Sequence, residues 1–200
     1  DLLAYWVNVD FTPPPVMQTL IKRFSSQITL RTLRRNRFDE EMEILRDIFN
    51  DAWSDNWGFV PFTREEFAEL GSSLRLLLPD DYIQIAEVNG EPAAFMVALP
   101  NLNEVLVELN GSLFPFGWLK MINRIRKHQI RTGRIPLMGV RKQFRNTPLG
   151  LALACLVIDA PRKVAIARGM KEVEMSWILE DNTAMRGILD GIGSQQYKRY

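Results

Sequence analysis

Residues 135–193 constrain the fold of this 200-residue chain more than any other segment. Residues 135–141 read as a short apolar strand, residues 142–150 as a basic loop, and a long apolar helix opens at Leu151. Apolar and polar residues alternate over 173–177, which indicates a second strand, and a further helix starts at 181–182. Two strands joined by a helix in this way predict a mixed α/β fold with one parallel crossover.

The basic loop, KQFRNTPLG, lies where the first strand gives way to the first turn of the long helix. That turn leaves backbone N–H groups without intrahelical partners, and the helix dipole favours negative charge beside them. Lys142 and Arg145 add two cations. The loop therefore predicts a binding site for an anion such as a phosphate group.

These residues resemble the GNAT-type N-acetyltransferase superfamily, in which such a turn binds the pyrophosphate of acetyl-coenzyme A. The family pattern Arg/Gln-x-x-Gly-x-Gly/Ala falls on residues 145–150, which read RNTPLG. A second family pattern matches residues 182–194 in spacing, and Asn182, Ile188 and Gly193 fit it. The two patterns follow each other in the family's order, with the expected helix and strand between them.

Two positions depart from the family patterns. Pro148 replaces the first loop glycine, and proline has no N–H to offer a phosphate. Leu189 stands where many members carry a tyrosine that protonates the leaving thiolate. The sequence therefore supports the fold better than the activity.

The resemblance implies the GNAT-like (acyl-CoA N-acyltransferase) fold, an α/β (mixed α+β) architecture with a central mixed, splayed sheet flanked by helices. It covers residues 25–200 and implies a long helical insert, residues 101–134, between the third and fourth strands. Asn89–Gly90 joins two strand candidates and predicts a hairpin. Residues 1–24 form an N-terminal arm, expected to be the tail of an upstream domain, and its apolar residues 2–9 should pair with a sheet edge.

Other segments predict local structure. Helices are expected at 39–53 and after Thr63, where Thr63 and Glu66 form a capping box, and Pro161 should kink or split the long helix. The arginines at 31–37 fit a solvated strand edge or a contact to a phosphate or an acidic partner. Helix 115–129 has an apolar half and a basic half. It fits a helix packed on the domain, a substrate lid, a docking surface for the coenzyme's phosphates, or an interfacial membrane contact.

The resemblance also implies a set of coenzyme-binding positions. In the family the coenzyme pairs with the edge of the fourth strand, here 137–141, and a backbone N–H there polarises the thioester carbonyl. The implied positions are Met138, Gly139, Val140, Arg145, Asn146, Thr147, Leu149, Gly150 and Asn182. Acetyl-CoA is the implied acyl donor. No residue stands out as the general base; the candidates are Glu104, Glu108, Glu174 and His128, and Tyr197 or Tyr200 could replace the missing tyrosine acid.

Composition excludes several classes of protein. The net charge of +1 gives no overall attraction to nucleic acid or membranes. The single histidine excludes a histidine metal cluster, and the single cysteine, Cys155, excludes a disulfide within this chain. The longest apolar run, 149–158, is too short to span a bilayer. We therefore expect a cytoplasmic protein without a resident metal.

Three functions remain open from the sequence. The first is an acyltransferase that moves an acetyl or other acyl group from coenzyme A to the amine of a small molecule or peptide. The second is a catalytically degenerate domain of the same fold that only binds. The third is an aminoacyl transferase that uses charged tRNA. The acceptor, the acyl chain length and the oligomeric state stay undetermined.

Overall fold

The computed structural model describes residues 1–56, 58–75 and 79–200, with only the backbone described at Leu74. The strands are β1 (Leu2–Asn8), β2 (Ile28–Thr32), β3 (Ile83–Val88), β4 (Glu91–Pro100), β5 (Thr132–Val140), β6 (Glu172–Leu179) and β7 (Gln195–Arg199). The helices are α1 (Pro15–Phe24), α2 (Phe38–Trp53), α3 (Arg64–Leu74), α4 (Asn103–Glu108), α5 (Gly117–Arg126), α6 (Pro148–Ala167) and α7 (Thr183–Gly191).

The strands form a mixed, splayed seven-stranded sheet in the order β2-β3-β4-β5-β6-β1-β7, which confirms the predicted fold class. The chain divides into two compact units. Unit 1 comprises Asp1–Thr12, Ala98–Pro136 and Arg162–Tyr200, and unit 2 comprises Pro13–Val97 and Leu137–Pro161. The boundary therefore falls inside β4, inside β5 and inside α6.

Unit 2 contains the antiparallel strands β2, β3 and β4, with Ile28 opposite Val88 and Ile83 opposite Val97. The β3–β4 turn has positive φ at Asn89 (52°) and Gly90 (87°), which confirms the predicted hairpin. The predicted helix 39–53 is confirmed as α2. Its apolar face is buried through Met42, Leu45, Ile48, Phe49 and Ala52.

Helix α3 begins at the predicted capping box. The Thr63 hydroxyl accepts from the Glu66 N–H at 3.2 Å, and the Glu66 carboxylate accepts from the Thr63 N–H at 2.9 Å. The rings of Phe62 and Phe67 lie 5.6 Å apart between centroids and form the hydrophobic staple around this cap. Local sequence alone thus determines where this helix starts.

The contacts of Arg31 fit neither interpretation of the arginines at 31–37, which were a solvated strand edge and a contact to a phosphate or an acidic partner. Its guanidinium pairs with Glu41 and with Glu87, both at 2.5 Å, and the Glu41 side chain is only 2% exposed. Arg31 is therefore neither solvated nor available to a ligand. The run's other described pairs are exposed, Arg37 with Glu40 and Arg35 with Asp80.

Unit 1 contains strand β1, which lies between β6 and β7 and pairs antiparallel with both. Leu3, Tyr5 and Val7 are buried there. The expectation that this segment pairs with a sheet edge was therefore wrong in its position, because β1 has a hydrogen-bonded neighbour on each side. The division of the chain at residue 24 also differs from the compact units, since Asp1–Thr12 belongs to unit 1. An upstream domain stays a prediction.

The crossover elements start earlier than the sequence indicated. Strand β5 begins at Thr132, so the insert between β4 and β5 is slightly shorter than 101–134 and contains α4 and α5. Helix α6 begins at Pro148 rather than at Leu151, because proline fits the first helical position well. Helix α6 is 20 residues long and continues through Pro161, so of the predicted kink or split the split was wrong and the kink stays a prediction. Among the described residues, no helix is long and apolar enough to cross a bilayer.

Candidate functional site

The turn between β5 and α6 lies entirely in unit 2 and ends in a well-formed helix cap. The Thr147 hydroxyl donates to the Phe144 carbonyl at 2.7 Å and accepts from the Gly150 N–H at 3.0 Å. Asn146 takes the left-handed conformation with φ 57°, which asparagine adopts more easily than most residues. These contacts fix the backbone that faces the start of α6.

Gly150 is required by the turn itself. A Cβ at this position would lie 2.0 Å from the Phe144 carbonyl oxygen and 2.8 Å from its carbon. The turn therefore folds back onto the first turn of α6 more closely than any side chain allows. A side chain at Gly150 would therefore crowd the protein backbone before it could affect a ligand.

The start of α6 leaves backbone donors free. Within residues 1–56, 58–75 and 79–200, no acceptor is found for the N–H groups of Asn146 and Leu149. Pro148 has no N–H, and the Gly150 N–H is bonded to Thr147. Because α6 is 20 residues long, its dipole reinforces these two donors. The turn can therefore accept an anion, with fewer donors than an all-glycine turn would offer.

Acidic residues on α2 hold the turn from the other side. Asp47 accepts from the Arg141 guanidinium at 2.7 Å, and Asp51 accepts from the Lys142 backbone N–H at 2.7 Å. Asp55, just beyond the helix, pairs with both the Lys142 ammonium and the Arg145 guanidinium. The three aspartates are four residues apart, so they follow one face of the helix.

Arg145 connects the turn to the end of α2. Its guanidinium donates to the Ala52 carbonyl and lies 3.0 Å from the Asp55 carboxylate. Lys142, followed by Arg145, lowers the pKa of the Asp55 carboxyl below its usual value. Both predicted cations of the anion site thus share one exposed carboxylate, which a bound phosphate would replace.

The end of β5 is anchored within unit 2. The Trp53 indole donates to the Met138 carbonyl at 3.1 Å, and the Arg141 N–H donates to the Ala93 carbonyl at 2.9 Å. Gly139 lies so close to Phe95 that a Cβ would approach its ring to 3.1 Å. The predicted positions Met138, Gly139 and Val140 therefore lie on a fixed strand that leads directly into the turn.

Unit 2 also contains an apolar pocket with about 480 Å³ of open space. Helices α2 and α3 form one side of it, and strand residues form the other. Its apolar lining includes Leu33, Phe38, Met42, Leu45, Phe67, Leu70, Ile83, Val97 and Leu137. Arg35, Arg75 and Asp80 supply its charged lining groups. Leu137 matters most, because it directly precedes the predicted coenzyme positions on β5.

Unit 1 brings two of the predicted catalytic candidates together. The Tyr197 phenol hydrogen-bonds to the Glu174 carboxylate, and burial followed by this bond raises the pKa of Tyr197 to about 12. Arg134 lies 3.6 Å from the same carboxylate and stacks its guanidinium over the Trp177 ring. Trp6 packs against Tyr197 with ring centroids 5.4 Å apart. The phenol therefore stays protonated at neutral pH and can donate a proton or a hydrogen bond.

Two further predicted residues of unit 1, Glu104 and Asn182, have structural roles. Glu104 accepts from the backbone N–H groups of Arg131 (3.0 Å) and Thr132 (2.7 Å), so it fixes the start of β5. Asn182 caps α7 by accepting from the Met185 N–H at 3.1 Å. Leu189, at the family's tyrosine position, is completely buried.

Sequence reasoning missed Asp51, Trp53 and Asp55, which position the turn. The signal for the acidic residues was present as aspartates at 47, 51 and 55, a spacing that places them on one helix face. What the sequence could not show is which part of the chain this face contacts.

In the described part of the chain, no group of three or more histidine, cysteine, aspartate or glutamate side chains could hold a metal ion.

Comparisons with known proteins agree with this geometry. The chain matches no protein-family model. It is 49% identical over its full length to protein YghO of Escherichia coli K12 and 40% identical to the bacterial ceramide synthase of Caulobacter vibrioides. It spans 52% of each of these relatives. A solved GCN5-related N-acetyltransferase from Sphaerobacter thermophilus superimposes with a TM-score of 0.57 at 18% identity, over 98% of this chain and 48% of that one.

Proposed function

We propose, from its GNAT-like fold, that the chain transfers an acyl group from an acyl-coenzyme A to an amine. The observation that carries the proposal is the turn at residues 141–150 of unit 2. There a strand leads into a helix N-terminus with free backbone donors and two cations. This is the chemistry that a pyrophosphate requires.

The residues of the turn fit the coenzyme's phosphates. The N–H groups of Asn146 and Leu149 would donate to phosphate oxygens. Lys142 and Arg145 would release the Asp55 carboxylate and pair with the phosphate instead. Strand β5 beside Gly139 and Val140 would hold the pantetheine arm. When bound, the coenzyme supplies a thioester whose acyl carbon an amine can attack. The chain's contribution is mainly positioning of that group.

The apolar pocket supports a long acyl chain rather than acetyl as the transferred group. Its lining residues are mostly apolar, which suits a hydrocarbon chain. Leu137 lines it and directly precedes the strand positions proposed for the pantetheine arm. The Caulobacter relative is named a ceramide synthase, and a ceramide is the amide of a fatty acid with a long-chain amino alcohol. We propose a long-chain amino alcohol as the acceptor.

Glu174 and Tyr197 of unit 1 stay the candidates for proton transfer. Within unit 1, Glu174 would accept a proton and the Tyr197 phenol, whose pKa is about 12, would donate a hydrogen bond. Glu174→Gln and Tyr197→Phe test this assignment: a lower kcat with unchanged coenzyme affinity supports it, and an unchanged kcat in both variants removes the pair from the reaction.

A second candidate function has its own support. Pro148 removes one donor, and Arg145 is engaged by Ala52 and Asp55. A domain of this fold that binds a ligand without turnover would tolerate both features.

One experiment separates the two functions. The chain is titrated calorimetrically with coenzyme A, and turnover of acetyl- and palmitoyl-coenzyme A with a long-chain amino alcohol is followed by mass spectrometry of the amide. Binding with amide formation supports the transferase, whereas binding without any amide supports the degenerate domain. No binding at millimolar coenzyme would reject both.

Two further variants sharpen the result. Asp55→Asn should raise coenzyme affinity, because it releases Lys142 and Arg145 for the phosphates. Leu70→Trp should fill the apolar pocket and lower turnover of the palmitoyl donor more than of the acetyl donor. Ile166→Trp is the matched control, since Ile166 is an exposed aliphatic residue of unit 1 (42% against 37% for Leu70) outside the pocket lining. Equal loss for both donors in Leu70→Trp would remove the pocket from the acyl site.

A further inference from the structure

The insert of unit 1 exposes large apolar side chains in a short stretch of sequence. Phe114 is 83% exposed and Phe116 is 71% exposed, and both precede α5 directly. Trp118 and Leu119 in the first turn of α5 and Val107 on α4 are exposed as well. We call these five residues the apolar rim. Single exposed apolar residues are common on soluble proteins, but a concentration of aromatic ones marks an interaction surface.

The segment that carries the apolar rim is strongly basic. Residues 101–134 contain six lysines or arginines and two glutamates, a net charge of +4, whereas the whole chain carries +1. Glu108 is shared by Lys120 and Arg124 and neutralises only one of them. Within the ranges that the structure describes, Arg126 and Lys127 have no carboxylate within salt-bridge distance. The net charge of +1 for the whole chain therefore does not reveal that this segment is cationic.

Trp118 and Leu119 of the apolar rim lie on α5 together with Arg126, and Lys127 follows the helix directly. The buried residue of this helix is Ile125. Leu119 and Arg126 are seven residues apart, close to two full helical turns, so they lie on the same exposed side. The Trp118 indole N–H donates to the Pro115 carbonyl at 3.1 Å. The polar group of the indole is therefore hydrogen-bonded, and the rest of the ring is an apolar surface. Aromatic residues beside basic ones are typical of helices that lie in a membrane interface.

We propose that the apolar rim, together with Arg126 and Lys127, docks the protein onto an anionic lipid surface. Phe114, Phe116 and Leu119 insert among the acyl chains, and the two free cations lie at the level of the headgroups. A lipid surface fits better than a protein partner. The phenylalanines project from a loop, so a protein partner would need a groove whose shape matches them. It fits better than nucleic acid because aliphatic residues accompany the cations. The contact does not depend on the acyl transfer proposed above.

The test measures partition of the purified chain into sedimenting vesicles. One set contains phosphatidylcholine with 30% phosphatidylglycerol, and the other contains phosphatidylcholine alone. We expect binding to the anionic vesicles that weakens as salt rises from about 50 to 500 mM, because exposed charges are screened. Phe114→Ser/Phe116→Ser should lower the partition coefficient by about tenfold or more, since each phenylalanine loses its apolar burial. Arg126→Glu/Lys127→Glu should abolish the preference for anionic vesicles.

A matched double variant controls for a general loss of apolar surface. Val16 and Val60 are exposed to 66% and 79% and lie outside the insert, so Val16→Ser/Val60→Ser should bind vesicles like the parent chain. Circular dichroism and melting curves confirm that all variants are folded. Absence of binding to anionic vesicles, or equal binding by Phe114→Ser/Phe116→Ser, would overturn the proposal. Self-association that this variant abolishes, without vesicle binding, would assign the surface to a second copy of the chain instead.

Discussion

Replacement of Gly150 by alanine tests whether the turn of unit 2 binds the coenzyme. The new Cβ would lie 2.0 Å from the Phe144 carbonyl oxygen, about 1 Å closer than real contacts allow. The turn must therefore move by about that distance relative to α6, and overpacking of this kind costs about 1–3 kcal/mol of folding free energy. The same displacement moves the donors Asn146 and Leu149 away from the phosphate position. Loss of one hydrogen bond to a charged group, worth about 1.5–3 kcal/mol, weakens coenzyme binding by roughly 10- to 100-fold.

The assay combines urea unfolding with calorimetric titration of coenzyme A. Gly187→Ala is the matched control, because a Cβ there meets nothing within 4 Å and the residue lies inside helix α7. That variant should be unchanged in affinity and more stable by about 0.5–1 kcal/mol, since alanine loses less conformational entropy than glycine in a helix. If Gly150→Ala binds the coenzyme like the parent chain while it shows the expected loss of stability, the turn does not form the site. If neither property changes, the close packing itself is refuted.

Three further predictions concern charge and burial. Glu41→Gln should lower the free energy of unfolding by about 1.5–3 kcal/mol in urea titrations, because Arg31 loses one of its two charged partners and keeps Glu87, and an unchanged midpoint would contradict this. Burial, and then the charge of Asp159, raises the pKa of Cys155 to about 11, so its thiol should resist maleimide at pH 8 in the folded chain and react on unfolding. Tyr197 has a raised pKa of about 12, so its bond to Glu174 stabilises the fold fully below pH 10 and is lost as pH rises through 12. The difference between the absorbance titrations of the parent chain and of Tyr197→Phe should have its midpoint near pH 12. A midpoint near pH 10 would contradict the hydrogen bond between Tyr197 and Glu174.

The sequence by itself determined the features that depend on neighbours along the chain. The capping box at Thr63 and the Asn89–Gly90 hairpin follow from the preferences of a few consecutive residues. The turn at residues 141–150, which we propose binds an anion, also belongs to this class, because a strand, a basic loop and a helix start are contiguous. Resemblance of residues 145–150 and 182–194 to two family patterns then identified the fold.

The tertiary structure alone decided which distant residues meet. Only the fold brings Asp51 of α2 and Asp55, just beyond the helix, against the turn some 90 positions later, so the sequence could not show that Arg145 is already engaged. Only the fold inserts β1 between β6 and β7 and pairs Glu174 with Tyr197. Strand pairing depends on hydrogen bonds and side-chain burial between segments far apart in sequence, and several arrangements satisfy the same local pattern. The choice among them is made by packing of the whole domain.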